Sequence, residues 1–308
     1  MEKLKQEDLS LVEQYITENC RLLEKKLFDY HFKGANTKDV IFALKLFQNK
    51  DGGFGQGLES DFRLPDSSPM ATSIGLKILN SLEKTNKSRE MIKKAIKYLE
   101  STYDEKRKGW YAVPEKVNDY PHTPWWHFDE EEKMTVIDKN WGNPTAELLS
   151  YIYKYKKYVN NLDINNLIEY AVKYINDKNK FKSENEVFCF IKLYNSLPKK
   201  YQIRIKDSLS KAVEQVIEYD ENKWDEYIPL PMHFINSPEQ NNFEIKEKKI
   251  QANLDYYIKI IKEKTMIDPP WGDSFYKEGL HPAYEEWKGV LTLDALIALD
   301  NYNRIAGQ

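Results

Sequence analysis

From Ala71 onward, the apolar and small residues Ala71, Ile74, Gly75, Ile78, Leu79 and Leu82 recur at the i, i+3, i+4, i+7 spacing of one helical face. The next segment repeats the rhythm through Ile92, Ala95, Ile96 and Leu99, with Lys93, Lys94 and Lys97 on the opposite side. The same period predicts helices around Val12/Tyr15/Ile16/Leu23, Val40/Ile41/Leu44/Phe47, Leu148/Leu149/Ile152, Leu167/Ile168/Ala171/Ile175, Val187/Phe190/Ile191/Tyr194, Leu209/Ala212/Val213/Val216 and Leu254/Tyr257/Ile258/Ile261. Residues 287–299 leave little polar face, which predicts a helix buried on most sides. Strand alternation is absent, although prolines make Tyr227-Ile228-Pro229-Leu230-Pro231 extended. Buried and lysine-faced helices that alternate along the chain imply inner and outer members of successive hairpins.

A second periodicity lies in the loops. An acidic residue followed by an aromatic, often beside glycine, recurs before successive helix pairs: Asp51 to Phe54, Asp104 to Trp110, Asp177 to Phe181, Asp220 to Trp224, and Asp268 to Trp271. The aromatics are spaced by 43 to 71 residues, enough for two helices and their loops at about 1.5 Å rise per residue. Five markers predict an all-α fold of five to six helix hairpins in two concentric layers, closed into an α/α toroid around a central cavity. An open superhelix is the alternative.

Composition narrows this picture. No Pro/Ser/Gly-rich linker divides the 308 residues, so a single domain over 1–308 is expected. The charge balance of 46 Lys+Arg against 49 Asp+Glu lacks the basic field of a nucleic-acid binder. Cys20 and Cys189 both fall in apolar helical patterns, which reads as free core thiols in a reducing cytoplasm, and no Cys-rich metal set is available. Neither a signal peptide nor an apolar membrane span is expected. The 13% aromatic content is concentrated between helices, where ligand pockets commonly use large rings and where core filling is the alternative.

Gln48-Asn49-Lys50-Asp51-Gly52-Gly53-Phe54-Gly55, followed by the helix at Ala71, resembles the QW-type repeat of the terpenoid cyclase and protein prenyltransferase superfamily, whose members share an α/α toroid with squalene-hopene cyclase. Trp271-Gly272-Asp273 resembles a degenerate copy. The resemblance implies that Asp51, Phe54 and their neighbours brace successive helices. The superfamily's chemical signatures are missing. There is no Asp-x-Asp-Asp acid, and the closest approach to Asp-Asp-x-x-Asp is the charge run Asp129-Glu130-Glu131-Glu132. No Asp stands two residues before either cysteine. A cyclase or prenyltransferase assignment therefore rests on fold analogy, and no cofactor or metal is named by the sequence.

Candidate chemistry gathers in the loops that lead to buried helices. Ser68-Pro69, Asn143-Pro144 and His281-Pro282 each place a proline at a helix start, with Ser68 and Asn143 fitting as N-caps. In a toroid these starts collect at one rim, where helix dipoles favour an anionic ligand. The first loop carries Glu59, Asp61, Arg63 and Asp66; the second carries His122, Trp125, Trp126, His127, Asp129 and Trp141; the last carries Asp273, Tyr276, His281, Tyr284, Glu285, Glu286 and Trp287. Asp61, Asp66, His127, His281 and Glu285 are the candidate acid/base residues, and Trp125, Trp126, Trp141, Tyr284 and Trp287 the candidate substrate-gripping rings. Helix capping and rim ion pairs are the competing role for the acids. Two functions remain open: an enzyme acting on an isoprenoid or a glycan in the cavity, or a non-catalytic toroid that binds a peptide, lipid or partner protein.

Overall fold

The computed structural model describes residues 1–307. Among them are twelve α-helices, short 3-10 turns and one antiparallel pair of two-residue strands, β1 (Phe128–Asp129) and β2 (Met134–Thr135), so the fold is all-α. No helix among the described residues is long and apolar enough to cross a membrane. Packing divides the chain into two compact units, one built from Met1–Ala43, Ile217–Lys277 and the segment from His281 onward, the other from Leu44–Val216 with Glu278–Leu280.

The first unit holds α1 (Gln6–Asn19), α2 (Leu22–Phe32), most of α3 (Thr37–Lys45), the single turn α10 (Pro231–Phe234), α11 (Glu247–Lys264) and α12 (Pro282–Asn301). Helix α12 packs on α2, and α1 packs on both α2 and α11. The apolar stretch from Val12 to Leu23 is two helices rather than one. The chain turns extended at Cys20 and Arg21, and the Arg21 guanidinium then grips Glu24 through Nε (2.9 Å) and Nη2 (2.7 Å) at the start of α2. The extended segment at 227–230 ends at Pro231, which opens α10 in the first-turn position where proline is tolerated. The two ends of the unit meet: Leu4 donates to the Arg304 carbonyl at 2.8 Å, and Ala306 donates to the Leu4 carbonyl at 2.9 Å.

The second unit holds α4 (Pro69–Ser81), α5 (Asn86–Ser101), α6 (Gly142–Lys154), α7 (Ile164–Asp177), α8 (Glu184–Ser196) and α9 (Lys199–Val216). Helix α6 packs between α4 and α8, while α7 packs on α9. This is the alternation the hydrophobic pattern predicts. The row α4, α6, α8 carries the buried sequences, and α6 is buried from Gly142 through Ile152. The amphipathic helices α5, α7 and α9, of which α5 and α9 are lysine-rich, pair with them.

Ser68 caps α4 as expected, its Oγ accepting from Ala71 N at 3.1 Å with Pro69 in the first turn. Asn143 does not cap α6. It lies extended before Pro144, its Oδ1 is 3.8 Å from the Cys189 thiol, and the nearby Gly142 N–H is met by Glu186 Oε1 at 3.0 Å. The Glu186 carboxylate fixes the chain one residue before Asn143, at an N–H that an N-cap side chain does not serve.

The loop markers are helix braces. Phe54 and Trp110 are fully buried. Phe54 N donates to Thr72 Oγ1 (3.0 Å), and Trp110 N donates to Thr145 Oγ1 (3.1 Å), each threonine lying near the start of a row helix. Asp51 Oδ1 ties the first loop by accepting from Gly53 N (3.0 Å) and Ser67 Oγ (2.7 Å). Gln48 Nε2 spans from this loop to α5, donating to the Gly52 and Met91 carbonyls at 2.9 and 3.0 Å. A Cβ at Gly75 of α4 would lie 2.6 Å from the Phe54 ring. Gly75→Ala should therefore destabilise the protein by about 1–3 kcal/mol through overpacking. An unchanged urea midpoint in this variant would contradict the close seating of that ring.

Candidate functional site

Within the second unit, residues 59–66 and 122–127 form one junction. Phe62 and His122 make an isolated antiparallel bridge. On either side of it, Arg63 N donates to the Pro121 carbonyl (2.8 Å) and Thr123 N to the Asp61 carbonyl (2.9 Å). Gly279, from the short segment that belongs to this unit, sits close against Pro121. The Phe62 and Trp126 rings meet edge to face at 5.4 Å. These contacts hold Asp61, which is 4% exposed, where its Oδ2 accepts from the half-buried Trp125 indole N–H at 3.0 Å. Glu59 is equally buried and accepts from Asp61 N at 3.2 Å. Two buried polar atoms of the junction, Thr123 Oγ1 and Trp126 Nε1, have no hydrogen-bond partner, an arrangement that costs about 1–3 kcal/mol for each group.

Beside them His122 and His127 stack, with ring centroids 5.4 Å apart and planes 16° from parallel. His122 Nδ1 lies 2.7 Å from the Tyr120 carbonyl, which only accepts, so Nδ1 carries the hydrogen and donates. In the neutral ring Nε2 is then the acceptor for His127 Nδ1–H at 3.2 Å. The neutral His127 ring keeps its lone pair on Nε2, and the residue is exposed. Asn118 holds the chain just beyond, bonding both the N–H and the carbonyl of Phe128 (2.9 and 2.8 Å).

The other candidates occupy different settings. Asp66 is half exposed and paired with Lys116 at 2.5 Å, on a groove of about 590 Å³ that also involves Asn49, Asp51 and Ser67. Trp141 is 8% exposed, donates to the Arg107 carbonyl at 3.1 Å, and is ringed by Tyr170, Tyr174 and Phe190. His281, Tyr284, Glu285 and Trp287 belong to the first unit. There Glu285 accepts from Tyr15 OH (2.6 Å) and pairs with Lys288 (3.2 Å), which also reaches Asp268 (3.4 Å). Burial works against the Lys288 charge, but Glu285 and Asp268 outweigh it and push the ammonium above its ordinary range. Tyr284 packs near Tyr276, and Trp287 meets Trp271 edge to face at 5.3 Å. His281 is exposed at the start of α12. Among the described residues, no group of three or more His, Cys, Asp or Glu could hold a metal ion.

Sequence reasoning passed over a polar cluster on α6 and α8. Glu147, 5% exposed, accepts from Lys192 Nζ (2.7 Å) and Tyr151 OH (2.9 Å), and the Cys189 thiol lies 3.9 Å from its second oxygen. Burial raises the Glu147 carboxyl, but Lys192, the Tyr151 hydroxyl and the field of Lys77 together hold it below its ordinary value. Burial and the adjacent Glu147 push the Cys189 thiol far up, so it stays protonated and unreactive. The available signal was a lone glutamate inside the apolar run 144–152.

No protein-family model, curated protein or solved structure matches this chain.

The buried carboxylate has measurable consequences. Its folded value lies below the ordinary 4.5, so its stabilising contribution is present above 4.5 and is lost as pH falls through the lower folded value. Stability measured by urea titration between about pH 6 and about pH 3 should fall less steeply in Glu147→Gln than in the wild type, and an identical slope would exclude this role. Lys192→Met strips a half-exposed counter-charge from a buried anion and should cost about 1–2 kcal/mol at neutral pH.

Proposed function

We propose that this chain is an α/α toroid of the terpenoid cyclase and prenyltransferase type, with five to six hairpins around a central cavity, and that it performs carboxylate acid/base chemistry on a glycan. The observation that carries this reading is the junction of residues 59–66 and 122–127. A dry carboxylate, Asp61, is fixed by an indole N–H, and an exposed imidazole, His127, has its lone pair directed by a hydrogen-bond relay from Tyr120 through His122. A carboxylate in a water-poor setting is suited to exchange a proton with a glycosidic or ring oxygen. The imidazole serves as its partner base, and the half-buried Trp125 offers a flat face to a sugar ring. The unpartnered Thr123 Oγ1 and Trp126 Nε1 give the same junction spare hydrogen-bonding capacity.

The Gln48 to Gly55 turn supports an isoprenoid as the alternative substrate. The ion-paired states of Asp66 and Glu285 favour the other reading, a toroid that binds a peptide, lipid or partner protein without chemistry.

Thermal-shift measurements with neutral oligosaccharides and with isoprenoid diphosphates separate the classes, because a ligand of the folded state raises its melting temperature. Oligosaccharides should stabilise the protein and be cleaved. Turnover should fall by about 10²–10⁴-fold in Asp61→Asn and in His127→Ala, with the variants still folded by circular dichroism. Stabilisation without cleavage supports the non-catalytic toroid. Stabilisation by isoprenoid diphosphates alone moves the assignment to that class.

A further inference from the structure

A second recessed surface lies wholly in the first unit, where the loop between α10 and α11 meets the first turns of α11 and the end of α12. It encloses about 570 Å³, within the range of about 300–1,000 Å³ common for small-molecule sites. Its lining is unusual in kind: Gln240, Asn241, Asn242, Gln251 and Asn303 contribute side-chain amides, and Tyr302 contributes a phenol ring. Glu247 is the one charged residue of the lining, and no lysine or arginine belongs to it.

The amides are held by the protein rather than left to float. The buried Arg304 guanidinium donates to Gln251 Oε1 (2.8 Å), and Gln251 Nε2 donates to Glu247 Oε1 (2.7 Å). This chain fixes both side chains and leaves the second Glu247 oxygen as an acceptor. Asn242 Oδ1 is taken by Glu244 N at 3.2 Å, so its NH₂ end is what it offers a ligand. Burial, with the nearby Glu247 and Glu239 carboxylates, pushes the Tyr302 hydroxyl up to about 12, which keeps it a neutral donor above a flat ring. At the lip, Phe243 and Glu244 both take left-handed backbone conformations (φ 46° and 67°) that L side chains rarely adopt, and the Phe243 ring is buried as an anchor. Such strain collects where a loop shape is needed for more than packing.

The lining chemistry selects the ligand. A phosphate or nucleotide would meet Glu247 without any cationic partner, and a hydrocarbon would strand the amides. A peptide strand would need a sheet edge, and among its described residues the first unit has no strand apart from the isolated bridge between Leu4 and Ile305. Sugar hydroxyls both donate and accept, which matches adjacent amides and a carboxylate oxygen, while a sugar's C–H face matches the Tyr302 ring. We propose that this groove binds a short, uncharged oligosaccharide. The inference stands apart from the Asp61 junction, since binding here requires no chemistry there.

Isothermal titration of the full-length protein with maltohexaose, cellohexaose and chitohexaose, and with hexaglycine as a peptide control, tests it. At least one hexasaccharide should bind saturably. Asn242→Ala, on an exposed loop, and Tyr302→Ala should each weaken that binding by about tenfold or more, and Tyr302→Phe, which keeps the ring, should weaken it less. In an Asp61→Asn background, which removes turnover at the junction, the groove variants should weaken binding by the same factor, which separates this site from the catalytic reading. Failure of all three sugars to bind, binding indifferent to the groove variants, or binding of hexaglycine in place of the sugars would each overturn the proposal.

Discussion

Backbone N–H groups that enter a packed interior must find an acceptor, and most features of this molecule follow from how that requirement is met. The loops feeding the row helices are themselves buried: residues 52–55 and 57–62 are out of solvent. Their donors cannot turn to water, and regular secondary structure is not there to receive them. Loop carbonyls take some of them, as those of Phe47 and Gly55 do for Gly55 and Leu58, and side chains take others. Thr72 serves Phe54, Thr145 serves Trp110, Gln215 serves Phe181, Asn253 serves Met232 and Thr292 serves Ile267. Each such bond avoids the cost of about 1–3 kcal/mol for stranding a buried donor. Polar residues thus sit inside helices whose neighbours are apolar, and they fix where each loop lands.

The same requirement recruits carboxylates, which complicates any search for chemistry. Asp138 accepts from Thr135 N, Thr135 Oγ1 and Ala112 N. Glu186 accepts from Gly142 N, Tyr174 OH and Lys178. Both are buried, as a catalytic acid often is, yet their oxygens are committed to backbone donors that the fold cannot do without. Burial alone therefore does not mark a catalytic acid here. The more useful distinction is what the carboxylate holds. Asp138 and Glu186 hold main chain in place, and the partners of Asp61 include an indole N–H from a ring that is itself half exposed.

Local signals made some of this legible and distant partners hid the rest. Helix α4 could be read in full, because the Ser68 cap, Pro69 and the apolar spacing from Ala71 all lie within one stretch. Asn143-Pro144 presents the same local signal without the cap, and the contact its side chain makes instead, with Cys189, lies 46 residues away. The break at Cys20 was invisible to periodicity because Leu23 resumes the apolar phase on the far side of it. The pairing of Asp61 with Trp125 spans 64 residues, and that of Glu147 with Lys192 spans 45. Spacing could nominate Asp61 and Trp125 singly but could not join them, and the one sign of Glu147 was its place inside an apolar run. The loop aromatics show the opposite case: Asp51 and Phe54 lie within one short stretch, and the close seating of Phe54 against Gly75 explains why that turn needs an aromatic at all.

Rigid braces are also what make a loop useful for recognition. A ligand-facing side chain loses least on binding when its support is already ordered. Phe54 and Trp110 are too deeply seated to touch a ligand, but they anchor loops whose other residues are not. At the 59–66 and 122–127 junction, Phe62 and Trp126 are the seated rings and Trp125 and His127 the presented ones. At the amide groove Phe243 is seated, while Asn242 and Tyr302 are presented. In both places buried aromatics secure a loop beside residues that expose hydrogen-bonding groups. The high aromatic content of an otherwise polar chain then has a single physical origin: long connections between helices must be nailed down by large apolar rings before their polar tips can hold a defined geometry.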